Sequence, residues 1–260
     1  MNKIYSIALA IAAGISFCTG CSVKEVRNLC PCSLVFDFSE ADTSVIREAD
    51  LYITDDEGFI FEEALGYDDM MEDEYTAEVP RKHVHIGIWS GLTTMYDGKG
   101  LTIPQGEDCP RVYSHISEID ADAEIVREVV RMHKNHCVMT VKLDWDASDL
   151  ESLVLHGNVD GYDRNGSPSS GKFMYELSRD EDGECEAVIP RQLDDSLVLE
   201  VNDGSGVLKR FPLGEYIAES GYDWKEPDLK DITLVLDIAV LKVSLTVQGW
   251  DTSHRFDIII

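Results

Sequence analysis

The sequence predicts an all-β protein of two tandem sandwiches, and three observations lead there. Most of its apolar residues alternate in short segments of four to eight residues, the period of a half-buried strand. Gly, Asp, Asn and Pro clusters separate those segments, and helical spacing is rare. The chain also repeats itself: Cys32-Ser-Leu-Val-Phe-Asp-Phe and Cys137-Val-Met-Thr-Val-Lys-Leu lie 105 residues apart. Pro80 and Pro190, each closing a short apolar run before an arginine, lie 110 apart. Both offsets match the length of one sandwich of about 100 residues.

The 260 residues carry 22 Lys plus Arg against 50 Asp plus Glu, a formal net charge of -28. Such an acidic surface repels phosphate backbones, so nucleic-acid binding is set aside. A hydrophobic content of 44% supplies packed cores and argues against global disorder.

Residues 1–20 read as an export signal. Lys3 gives a cationic start and Ile4–Phe17 an apolar stretch of 14 residues, too short to span a bilayer. The stretch ends in Cys18-Thr19-Gly20-Cys21, which resembles the lipobox of bacterial lipoproteins, with Cys18 where leucine is usual. That resemblance implies cleavage before Cys21, a lipid on its sulfur and an acylated amine. Residues 21–31 then form a short polar tether.

The first sandwich is expected over residues 32–135. Leu34, Phe36 and Phe38 alternate on one strand face. Leu51–Thr54 and Phe59–Phe61 flank Asp55-Asp-Glu-Gly58, a hairpin whose glycine can take positive φ. Val84, Ile86 and Ile88 alternate in the next strand. A helix is expected over Asp120–Met132, where Ile125, Val129 and Met132 fall at helical spacing. The boundary falls at the polar stretch Lys134–His136. Over 136–260, strands are expected at Val138–Leu143, Leu153–Leu155, Ala187–Ile189, Leu197–Val201, Val207–Phe211, Ile232–Ile238, Ala239–Val247 and Phe256–Ile260.

Residues with chemical potential are few. His83 and His85 share a strand face opposite Val84, Ile86 and Ile88, and are expected to meet solvent or a domain contact rather than a metal. His133 and His136 fall at the boundary with no third ligand in view. The acidic loops around Gly166 and Gly183 lack the Glu that an EF-hand needs at its twelfth position. Asp68–Glu74 reads as a solvated acidic loop. Five cysteines remain beyond Cys18 and Cys21, and one disulfide from Cys30 or Cys32 to Cys109 is expected. No GxSxG, HExxH or Ser-Lys arrangement occurs, so no catalytic residues and no cofactor are assigned.

Several features together resemble the fimbrillin-type anchor lipoproteins of type V pili. They are the lipobox, the Cys-Pro-Cys strand opening, the strand–DDEG–strand hairpin, VPRKHVHIGIWSG and the terminal DITLVLDIAVLKVSLTVQGWDTSHRFDIII. The resemblance implies two transthyretin-like sandwiches, a lipid on Cys21 and attachment to the outer membrane at the cell surface. It also implies fimbrial structural subunits as partners, limitation of fibre length and no catalysis. Phe256, Ile258, Ile259 and Ile260 are then the expected partner-strand residues. The alternative is a surface glycan-binding lipoprotein with Trp89, Tyr96, Trp145, Trp224 and Trp250 as candidate platforms.

Overall fold

The computed structural model describes residues 30–71, 74–92, 100–143, 150–180, 184–203, 206–237, 242–249 and 251–257. In the first half β1 (Cys32–Asp37), β2 (Ala49–Thr54), β3 (Ile60–Leu65) and the short helix α1 (Tyr67–Met71) precede β4 (Tyr75–Val79). β5 (His83–Ser90), β6 (Gly100–Thr102), β7 (Tyr113–Asp120), β8 (Ile125–Val129) and β9 (His133–Lys134) follow. The second half runs β10 (His136–Leu143), β11 (Leu150–Asp163), β12 (Pro168–Leu177), β13 (Cys185–Pro190), β14 (Val198–Asp203) and β15 (Gly206–Phe211). It ends with helix α2 (Leu213–Glu219), β16 (Ile232–Asp237), β17 (Lys242–Val247) and β18 (Ser253–Asp257).

Each half is a sandwich of two sheets. In the first, β4-β1-β8 faces β3-β2-β5-β7-β9. Leu34 and Phe36 of β1 meet Leu51 and Ile53 of β2 and Val84, Ile86 and Ile88 of β5 in one buried core. In the second, β13-β10-β16-β17-β18 faces β12-β11-β14-β15, and Met139, Val141, Leu155, Leu199, Leu234 and Leu245 fill the space between. Alternation put these residues on the inward faces, and burying a Leu, Ile or Phe contributes about 1.5–3 kcal/mol each.

The sequence repeat is a repeat of topology. β1 pairs antiparallel with β4 and parallel with β8; β10 pairs antiparallel with β13 and parallel with β16. Cys32 faces Val79 and Cys137 faces Ile189, so both cysteines hold the same register position. The expected all-β tandem architecture is what the chain adopts. One segment crosses the halves: β6 pairs with β11, and Ile103 and Cys109 lie in the second core.

The DDEG hairpin forms as expected between β2 and β3, with Gly58 at φ 99°. Asp55 explains the tight turn. Its Oδ1 accepts from the N–H groups of Glu57 (2.9 Å) and Phe59 (2.7 Å), an Asx turn that locks the loop.

The helix expected over Asp120–Met132 is not there. That stretch holds β8, which pairs with β1 in the register Val126↔Leu34. A helix would have gathered Ile125, Val129 and Met132 on one face but left the β1 edge without hydrogen-bond partners. The run is also rich in β-branched residues, which suit an extended chain. In the strand Ile125 and Val129 face solvent, while Val126 packs on the core and Val130 is buried.

Candidate functional site

The expected site residues fall partly outside the described residues: Cys21, Ile258, Ile259 and Ile260 do. Phe256 is described, on β18. There it faces Val243 of β17 and stacks on Tyr216 of α2, with ring centroids 4.9 Å apart and planes 16° apart. Its ring packs against the second core, so Phe256 completes its own sandwich.

Comparing the two halves locates a free edge. The second-half sheet continues from β16 through β17 to β18, whereas its first-half counterpart ends at β8. Among the described residues β8 pairs on one side only. That edge exposes Ile125 (61%) and Val129 (40%), separated by Arg127, which is ion-paired with Glu74. An extended edge with exposed branched apolar residues is a template for another strand unless something covers it.

The two halves meet through buried polar groups. The Tyr162 hydroxyl donates to the Asn135 carbonyl and accepts from the Arg191 backbone N–H at 2.7 Å. The Arg191 guanidinium donates to Asn135 Oδ1 (3.0 Å) and to the carbonyls of Trp224, Glu226 and Pro227. Asn135 Nδ2 donates to Ser114 Oγ of β7 at 2.6 Å. Below this knot, Trp89, Leu101, Val112 and Tyr162 form a small apolar cluster. His136 is buried beside it, with Nδ1 donating to the Val112 carbonyl at 3.0 Å, and burial pulls its pKa down to about 4. It is neutral and structural. His133 stands 3.4 Å from Asp228 at the surface.

No disulfide joins Cys30 or Cys32 to Cys109. All five cysteines are free thiols. Cys32 belongs to the first core and Cys109 to the second, so the two sit in different sandwiches, while Cys30 is exposed. Burial pushes the thiols of Cys32, Cys109 and Cys185 up, and that of Cys137 up to about 12, which keeps them protonated and unreactive. Trp89 is fully buried and is no glycan platform; Trp224 is partly buried against the second core. Tyr96, Trp145 and Trp250 lie outside the described residues. Asp68 and Asp69 are exposed in the first turn of α1. His83 and His85 share one face of β5, opposite Glu118 and Asp120 of β7.

Two sandwiches of one topology in series, with a strand edge left open, define a tandem β-sandwich protein suited to strand-mediated contacts. The solved structures it resembles sharpen that class. A candidate polysaccharide-binding protein of Bacteroides thetaiotaomicron superposes with a TM-score of 0.66 at 14% identity, over 88% of this chain and 98% of that one. A candidate adhesin of Bacteroides ovatus gives 0.62 at 11% identity, covering 87% and 96%. The fimbrial anchor protein Mfa2 of Porphyromonas gingivalis gives 0.59 at 15% identity, covering 85% and 98%. At such identities the likeness is one of fold: this chain has the fold of a fimbrial anchor protein and of candidate adhesins. No family model matches it, and no curated protein matches it in sequence.

Proposed function

We propose that this chain is a non-enzymatic anchor subunit of a fimbria, held in the outer membrane at the cell surface by a lipid on Cys21. The observation that carries the reading is the open β8 edge, within a fold that covers 98% of the fimbrial anchor protein. An added strand there would hydrogen-bond along β8 and set its side chains beside Ile125 and Val129, with main-chain bonds giving affinity and side-chain pockets giving register. Several acyl chains at about 0.8 kcal/mol per buried methylene would hold the base against pulling on the fibre. On this reading residues 1–20 are a signal and 21–31 a tether, with sandwiches at 32–135 and 136–260. Ile258–Ile260, which follow Phe256 in the sequence, are the second candidate for subunit contact. Glycan binding, the alternative, draws on the candidate polysaccharide-binding relative, but the burial of Trp89 removes one of its aromatic platforms.

The test is fractionation of surface fibres from cells carrying Cys21→Ala. Loss of acyl labelling, with fibres shed into the medium, is the expected result. Retained labelling removes the lipid anchor, and fibres retained without it remove the anchoring role.

A further inference from the structure

We propose that His83, His85 and Glu118 form a binding site for a divalent transition metal such as zinc, a role that no relative's description assigns. It stands independently of any part in fibre assembly, and it revises the expectation that the two histidines merely face solvent or a domain contact.

The site follows from strand geometry. Residues two apart on a strand point to the same face, so burying Val84 and Ile86 in the first core puts His83 and His85 together outside. In the β5–β7 ladder His85 lies directly opposite Glu118, and His83 opposite Asp120. One ligand atom from each of His83, His85 and Glu118 falls within 4.8 Å of the others. His83 Nε2 is 3.6 Å from Glu118 Oε2, and His85 Nδ1 is 3.1 Å from Glu118 Oε1. Donors bonded at about 2.1 Å to a tetrahedral zinc stand about 3.4 Å apart, so these separations need little adjustment.

The surroundings orient the rings. His83 Nδ1 lies 2.8 Å from Asp120 Oδ1; a proton held there leaves Nε2 with its lone pair, on the side of Glu118. His85 is disposed in the same way, with Nε2 3.6 Å from Asp56 Oδ1 and Nδ1 towards Glu118. A carboxylate behind each imidazole is the arrangement that fixes tautomer and raises donor strength in metal sites. Charge agrees as well. Glu118, Asp120 and Asp56 are three carboxylates around two imidazoles, while the nearby Lys82 is committed to Asp55 (3.2 Å) and Glu57 (2.5 Å). Arg164 lines the adjoining cavity of about 170 Å³, beside His85 and Glu118. Two nitrogens and one carboxylate suit zinc, nickel or copper rather than calcium or magnesium, which take oxygen donors. Three protein ligands leave a fourth position for water or an outside group.

The test uses the lipid-free chain from Ser22 with Cys30→Ser, so that the exposed thiol does not take up metal. Calorimetric titration with zinc is expected to give one equivalent per chain. His83→Ala, His85→Ala and Glu118→Gln should each weaken it at least tenfold, Asp120→Asn about tenfold through the His83 ring, and His133→Ala not at all. Copper loaded into the unaltered site should show two nitrogen ligands by electron paramagnetic resonance, a readout that needs no variant to fold. No zinc uptake at 1 mM, uptake unchanged in the His83, His85 and Glu118 variants, or a copper spectrum without nitrogen would overturn the site.

Discussion

Tyr162 and Asn135 hold the two sandwiches in register: the phenol at the far end of β11 donates to the main-chain carbonyl just before β10 begins. Tyr162 is buried, and its oxygen also accepts from the Arg191 N–H, so one hydroxyl satisfies two backbone groups where the halves meet.

Tyr162→Phe therefore keeps the ring and orphans both backbone groups. A buried donor or acceptor left unsatisfied costs about 1–3 kcal/mol. For a chain of this size that corresponds to a fall in Tm of about 2–10 °C. Differential scanning calorimetry checks it; an unchanged Tm would mean that water replaces the hydroxyl.

Gly161 adjoins that tyrosine and permits the β6–β11 pairing. It stands at φ 155°, and a Cβ there would lie 1.9 Å from the Leu101 carbonyl oxygen. Gly161→Ala must push β6 away from β11. The expected cost is about 2–4 kcal/mol, with amide exchange rising first at Leu101 and Thr102.

How much of this was legible in the sequence depends on which interactions carry it. The inward faces of β1, β2 and β5 follow from alternation alone, since Leu34, Leu51 and Ile86 are buried together in one apolar cluster. β7 was hidden because Ser114 and His115 are buried polar residues; His115 Nε2 donates to Glu128 at 2.9 Å, and no hydropathy pattern registers such a pair. β12 was hidden for the opposite reason, as it begins at Pro168 and buries only Phe173 and Leu177. β8 was misread because its partner, the β1 edge, lies about 90 residues earlier in the chain. The Tyr162–Asn135–Arg191 knot is hidden for a similar reason, since its members lie 27 to 56 residues apart in the chain. The His83–His85 spacing was legible, but Glu118 and Asp120 became its neighbours only through the β5–β7 register.

Asp108 and His136 give stability opposite pH dependences. Burial raises Asp108 to about 6, against the lowering effect of the Val188 and Cys109 N–H bonds. The folded state then holds its proton more tightly than the unfolded one, so this group's contribution is lost as pH rises from about 4 to about 6. His136, pulled down to about 4, works the other way: the unfolded chain binds the proton first, and stability is lost as pH falls from about 6.5 to about 4. Asp108→Asn keeps an oxygen for both N–H groups and removes the ionisation. It should gain about 1 kcal/mol at pH 7, a figure discounted because Asp108 is only partly buried, and nothing at pH 4. Urea melts at the two pH values measure it; an equal change at both would show that charge is not the cause.

The free thiols predict a simple titration. In the folded, lipid-free chain from Ser22 a thiol reagent should modify Cys30 quickly and leave Cys32, Cys109, Cys137 and Cys185 until the protein unfolds. Denaturation without reductant should then release all five. A shortfall of two would restore the disulfide that the structure lacks.

The C-terminal strand separates self-completion from subunit contact. β18 is hydrogen-bonded to β17, and Phe256 stacks on Tyr216, so the ring belongs to the second core. Phe256→Ala should cost about 2–3 kcal/mol, less than the 3–5 of a fully enclosed Phe because the ring is only partly buried. Ile258–Ile260 follow β18 in the sequence. Removing these three residues alone tests the second role, because Phe256 and β18 stay in place. If they pair with another subunit, the shortened chain keeps its Tm while cells shed fibres into the medium. If they only finish the sandwich, Tm falls and the fibres stay attached. An unchanged Tm with fibres retained would exclude both roles for the three isoleucines, leaving the β8 edge as the proposed site of strand addition.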